Sequence, residues 1–126
     1  MGFHVARFLF FPEYAKSSNG GNNWTSASFT LTGGAGSLAL SCITSVDINT
    51  AWVAAHPTSS AAGGIWKTTN GGTTWAKQTT AAFTGSAAFA NIIHFWDANN
   101  GVCQGDPNGG YYEIYTTNNG GTTWTR

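Results

Sequence analysis

Apolar residues along this chain come in short runs, each closed by Gly, Pro, Asn or Asp, the pattern of strands joined by turns. Val5 to Phe11 reads as a strand, interrupted by Arg7 and ended by Pro12. Glu13 to Ser18 leads into a turn, and Trp24 to Leu31 alternates well enough for the strand that follows. Thr32-Gly33-Gly34-Ala35-Gly36 is a loop. Strands follow over Leu40 to Val46, Ala51 to Ala55, Gly64 to Thr69 and Trp75 to Thr80, with Asp47-Ile48-Asn49-Thr50 turning between the first two. Ala51-Trp52-Val53-Ala54 is apolar on both faces, which suits a strand covered from both sides. The pattern predicts an all-β chain with negligible helix.

One polar stretch recurs between these strands. Ser17-Ser18-Asn19-Gly20-Gly21-Asn22-Asn23-Trp24, Thr68-Thr69-Asn70-Gly71-Gly72-Thr73-Thr74-Trp75 and Thr117-Asn118-Asn119-Gly120-Gly121-Thr122-Thr123-Trp124 share Ser/Thr-x-Asn-Gly-Gly-x-Asn/Thr-Trp. Their tryptophans stand 51 and 49 residues apart, a period that marks a repeat architecture. The register extends past the box: Asp97-Ala98-Asn99 repeats Asp47-Ile48-Asn49, Cys103 repeats Val53, Pro107 repeats Pro57, and Ile114 repeats Ile65. Within each box, Asn and two Gly supply positions that take positive φ at little cost, and the Asn amide can fold back onto nearby backbone. The Trp is then a hydrophobic anchor that requires an acceptor for its indole N–H.

This motif resembles the Asp-box, or BNR repeat, Ser/Thr-x-Asp-x-Gly-x-Thr-Trp, with Asn19, Asn70 and Asn119 where that family usually carries Asp. The resemblance covers the chain from about Tyr14 onward. It implies a β-propeller in which the box joins the third and fourth strands of each blade. It also implies a structural role for Asn19, Gly21, Trp24, Asn70, Gly72, Trp75, Asn119, Gly121 and Trp124. The family includes sialidases and sortilin-like receptors, so it suggests a secreted or cell-surface setting and leaves the activity open. The expected architecture is one partial propeller of four-stranded antiparallel blades, with repeats at roughly 1–31, 32–80 and 81–126. At about fifty residues per blade, that is about two and a half blades.

Composition narrows the partners. Charged residues make up 8% of the chain, against about 25% in ordinary domains, and the net charge is zero, so nothing steers it to nucleic acid or an anionic membrane. No segment is long and apolar enough to span a bilayer. Phe8-Leu9-Phe10-Phe11 is too short for a signal-peptide core, and no small-residue cleavage site follows, so secretion is not encoded in these residues. Asn23-Trp24-Thr25 is a formal glycosylation sequon inside the first box.

Candidate chemistry is sparse. Cys42 aligns with Ile92 and Cys103 with Val53, so each thiol takes an aliphatic position, and no Cys/His spacing suits zinc. Asp47 and Asp97 read as turn formers rather than metal ligands. No metal or cofactor is expected. His56 and Asp106 sit at equivalent positions, each before a proline at the exit of a second strand. In the resembled fold that exit opens on the face away from the box, where ligands bind. His56, Asp106 and Glu113 are therefore the candidate ligand-binding residues. His4 and His94 show no partner in the sequence.

A glycosidase needs two positioned carboxylates, and only Glu13, Asp47, Asp97, Asp106 and Glu113 exist. Sialidases grip substrate with an arginine triad, whereas this chain carries only Arg7 and Arg126. The sequence therefore points to a non-catalytic binding or scaffold module for a glycan or a protein surface. The alternative is a fragment of a larger propeller hydrolase whose catalytic residues lie on other blades. Two and a half blades do not close a ring, so two or three chains are expected to share one. Trp52, Ile65, Trp66, Ile93 and Phe95 are expected on the exposed apolar faces that join them.

Overall fold

The computed structural model describes residues 2–7, 12–31, 38–57, 63–84 and 89–126. Among these, the chain is all-β, with no helix. Three antiparallel sheets follow one another along the sequence. The first holds β1 (Gly2–Arg7), β2 (Pro12–Ser17) and β3 (Thr25–Ser28). The middle sheet holds β4 (Leu38–Ser45), β5 (Ala51–Pro57), β6 (Gly64–Thr68) and β7 (Ala76–Lys77). The third holds β8 (Ala90–Phe95), β9 (Gly101–Asn108) and β10 (Tyr111–Thr117). Paired backbone bonds between Thr116 and Thr125, 2.8 and 2.9 Å, add a fourth segment beside β10, where β7 stands beside β6.

Several strand ends differ from the sequence reading by a few residues, and two of these differences have a plain physical cause. Pro12 does not end a strand but begins β2, opposite Arg7. A proline lacks the N–H a ladder needs, and the first residue of a strand is where that lack is tolerated. The fourth strand expected over Trp75 to Thr80 is only two residues long. Gln78 N–H still bonds Ile65 O at 2.8 Å, and Ala81 N–H then turns back to Gln78 O. Phe8 to Phe11, the loop at 32–36 and the 58–62 connection fall outside the described residues.

The middle sheet lies between the other two. Period-two alternation along β5 sends Trp52 and Ala54 into one core, with Ile65, Ile93, Phe95, Cys103, Tyr115 and Trp124. Ala51, Val53 and Ala55 enter a second core, with Trp66, Tyr14, Phe29 and Trp75. All five consecutive β5 residues are fully buried, as the two-faced apolar pattern requires. The same step relates the sheets twice: β1 touches β4, and β5 touches β8.

The exposed apolar residues are not those the sequence suggested. Trp52, Ile65, Trp66, Ile93 and Phe95 are all buried between sheets. Among the described residues the large exposed ones are Trp24 in the first box and Ile92, Trp96, Tyr111, Tyr112 and Ile114 on or beside the third sheet. Alternation explains the swap. Along β8, Ile93 and Phe95 point back to the middle sheet, so Ile92 and His94 point away from it.

Candidate functional site

The three boxes have one hydrogen-bond scheme. The hydroxyl of Ser17, Thr68 or Thr117 accepts from the second box glycine, Gly21, Gly72 or Gly121, at 2.7, 2.9 and 3.0 Å. It donates to Oδ1 of Asn19, Asn70 or Asn119 at 3.0 Å in every copy. That Oδ1 also accepts the backbone N–H of Asn23, Thr74 or Thr123 at 2.9, 3.0 and 2.9 Å. In the second and third boxes Nδ2 donates onward to Thr74 and Thr123. An amide can both accept and donate here, so Asn closes the turn without adding charge. The glycine pairs take φ between 68° and 90°, the left-handed region that a side chain disfavours.

The second and third boxes are each tied to neighbouring residues. Gly71 and Gly120 donate their N–H to Asn49 O and Asn99 O, both at 2.9 Å, in the strand-one turn of their own sheet. Lys16 Nζ reaches Gly71 O of the next sheet at 3.0 Å, and Lys67 Nζ reaches Gly120 O at 2.8 Å. Lys67 also lies over the Trp52 ring at 5.0 Å, and burial lowers its pKa.

Asp47 and Asp97 each cap a turn, accepting from the backbone N–H groups two and three residues on at 2.7 and 2.8 Å. These bonds, with the Asn100 amide acting first on Asp97, hold both carboxyls below their ordinary pKa. Their folded values lie below their unfolded ones. The stability they add is therefore present above about pH 4 and lost as pH falls through the lowered values. Urea unfolding should weaken between pH 5 and 2.5, and the double variant Asp47→Asn, Asp97→Asn should lose less over that interval. Equal losses in both proteins would rule out this origin.

At the end away from the boxes, β5 and β9 run out and deliver two of the candidate residues to one place. His56 stacks on Phe89 with centroids 4.1 Å apart and planes 14° apart. Phe89 O accepts the backbone N–H of Asp106 at 3.0 Å. The exposed Asp106 carboxylate accepts from Asn91 Nδ2 at 2.6 Å. Glu113, at the same end, is used differently. It is buried, its two oxygens accept Thr84 N–H at 3.1 Å, and one accepts the Thr84 hydroxyl at 2.8 Å. Asn108 bonds that same hydroxyl, and Arg126 stands 3.7 Å from the carboxylate. Glu113 thus fastens the segment before β8 onto β10.

Phe89, Asn91 and Thr84 were not found from sequence. Asn91 had a signal: it repeats Ser41, and both interrupt an apolar strand at a bulge, between Leu40 and Cys42 and between Ala90 and Ile92. A bulge re-aims a side chain, and there Ser41 donates to Ala90 O at 2.9 Å. Both cysteines are free; burial pushes the Cys103 thiol up to about 12, so it stays protonated at neutral pH. Among the described residues, no three His, Cys, Asp or Glu side chains group as metal ligands. Comparison with protein-family models, curated proteins and solved structures gave no match.

Proposed function

We propose that the chain is a run of propeller-type blades acting as a non-catalytic binding or scaffold module, with its ligand surface at the His56–Phe89–Asp106 end. The observation that carries this is where the carboxylates go. Asp47 and Asp97 hold turns, and Glu113 is buried against Thr84. That leaves Glu13 on the first sheet and Asp106 on the third, with the middle sheet between them. Glycoside hydrolysis requires two carboxylates within about 10 Å across the scissile bond. The repeated Lys-to-box contact and the repeated stacking of β1 on β4 and β5 on β8 support the blade reading.

An aromatic stack beside an exposed carboxylate–amide pair suits a neutral ligand rich in hydroxyls, so a glycan is favoured over a charged partner. In the same reading the chain assembles with copies of itself, two or three to a ring. A glycan array run beside hydrolase assays on the same sugars tests the proposal. Binding without turnover is expected, with affinity falling about tenfold in Asp106→Ala, the loss of one or two hydrogen bonds. Turnover by the pure protein, or binding indifferent to Asp106→Ala and His56→Ala, would refute it.

A further inference from the structure

The third sheet's outer face is the counterpart of a face that is buried elsewhere in the same molecule. In the repeat register Ile114 stands where Ile65 stands, Val102 where Trp52 stands, and Trp96 where Val46 stands. Ile65 and Trp52 are fully buried, and Val46 packs against the same core, because the third sheet lies on them. Ile114 is 44% exposed and Trp96 65%. Cross-strand register places Ile92, Gln104 and Ile114 in one row and His94, Val102 and Thr116 in the next, so these two adjoining rows carry no carboxylate, lysine or arginine.

At the opposite end of the stack the box tryptophan is more exposed. Trp75 sits between the middle and first sheets, against Tyr14 and Phe29, and Trp124 sits in the core between the third and middle sheets. Both therefore pack toward the preceding sheet. Trp24 occupies the same box position and is 47% exposed, against 1% and 6% for the other two. Gly20, in the same box, is open as well. A Cβ there would meet nothing within 4 Å, whereas at Gly71 and Gly120 it would meet the lysine of the preceding sheet.

We propose that the outer face of the third sheet docks the first sheet of a second copy of this chain, head to tail, with Trp24 of that copy seated as Trp75 and Trp124 are seated. This deepens the blade reading and rests on it. Faces of these two kinds are joined twice within one chain, by β4 on β1 and by β8 on β5. The contact is heterologous: each copy uses its third sheet toward one neighbour and its first sheet toward another.

Sedimentation velocity across about 1–100 µM tests this, with circular dichroism as the check on folding. The unaltered chain should associate. Ile114→Asp and Trp24→Asp should each be folded and monomeric over at least a tenfold wider range, since either places a charge in the seam. Mixed together, these two variants retain one good face of each kind and should form a one-to-one dimer and nothing larger. Should Ile114→Asp unfold, Ile92→Lys makes the same test on the same face. A folded unaltered monomer at 100 µM would overturn the proposal. So would association that survives both variants, or variants that fail to combine. Loss of glycan binding leaves these outcomes untouched, so the two readings fail separately.

Discussion

Replacing Trp75 with Ala should remove about 3–5 kcal/mol of unfolding free energy, the range for truncating a well-buried aromatic residue. Trp75 is only 1% exposed. Its ring meets Tyr14 edge-on at 5.9 Å and Phe29 at a tilt at 4.7 Å, and its backbone forms a parallel bridge to Leu31. Tyr14, Phe29 and Leu31 all belong to the first sheet or the segment leaving it, so this indole fills the seam between two sheets. Removing it leaves a void bounded by two sheets that are fixed elsewhere by their own ladders, which limits collapse. Trp24→Ala makes the same chemical change at the same box position and should cost less than about 1.5 kcal/mol, because half of that ring already faces water. Denaturant unfolding at submicromolar concentration, where copies are apart, measures both. Equal losses would show that the box turn, and not the seam, is what the tryptophan stabilises.

That contrast marks the limit of what could be read from the residues. The turn chemistry was legible because it is local: Ser/Thr, Asn and two glycines lie within five positions and bond one another in every copy. The strands were legible from alternation, and the two-faced burial of β5 from its unbroken apolar run. The face to which each residue turned at the ends of the stack was not. Ile92 and Ile93 are equally apolar, and only the position of the middle sheet makes one exposed and the other buried.

The candidate site was half legible for a related reason. His56 and Asp106 could be placed by the repeat register at one end of the strands. Phe89, which joins them, lies just beyond residues 85–88, in a connection whose course no periodic signal fixes. Glu113 was legible as an acidic residue at that end but not as a buried one. It repeats Gly64, and the equivalence of a carboxylate with a glycine gives no sign that Thr84 waits opposite.

Gly72→Ala should be among the costliest single-atom additions to this chain, and the comparison with Gly20→Ala shows why. Both glycines have positive φ, +88° and +69°, so alanine at either carries left-handed strain of about 1–2 kcal/mol. At Gly20 nothing else opposes the new methyl group. At Gly72 the Cβ would run into the Tyr14 hydroxyl and the ring carbon that bears it. Tyr14 cannot retreat, since it is 4% exposed and held by Phe29 at 4.8 Å on one side and Trp75 on the other. Overpacking of this kind adds about 1–3 kcal/mol, for a total of about 2–5 kcal/mol. The damage should also be directed. Tyr14 and Lys16 both reach Gly71 O, so displacing Tyr14 loosens the first sheet from the middle one before it disturbs the third. Hydrogen exchange in Gly72→Ala should therefore quicken at β2 and β3 more than at β9. Adding Tyr14→Phe, which removes the obstructing oxygen, should restore part of the loss. A Gly72→Ala protein no less stable than Gly20→Ala, or one whose exchange rises uniformly, would show that the first sheet does not bear on the central box.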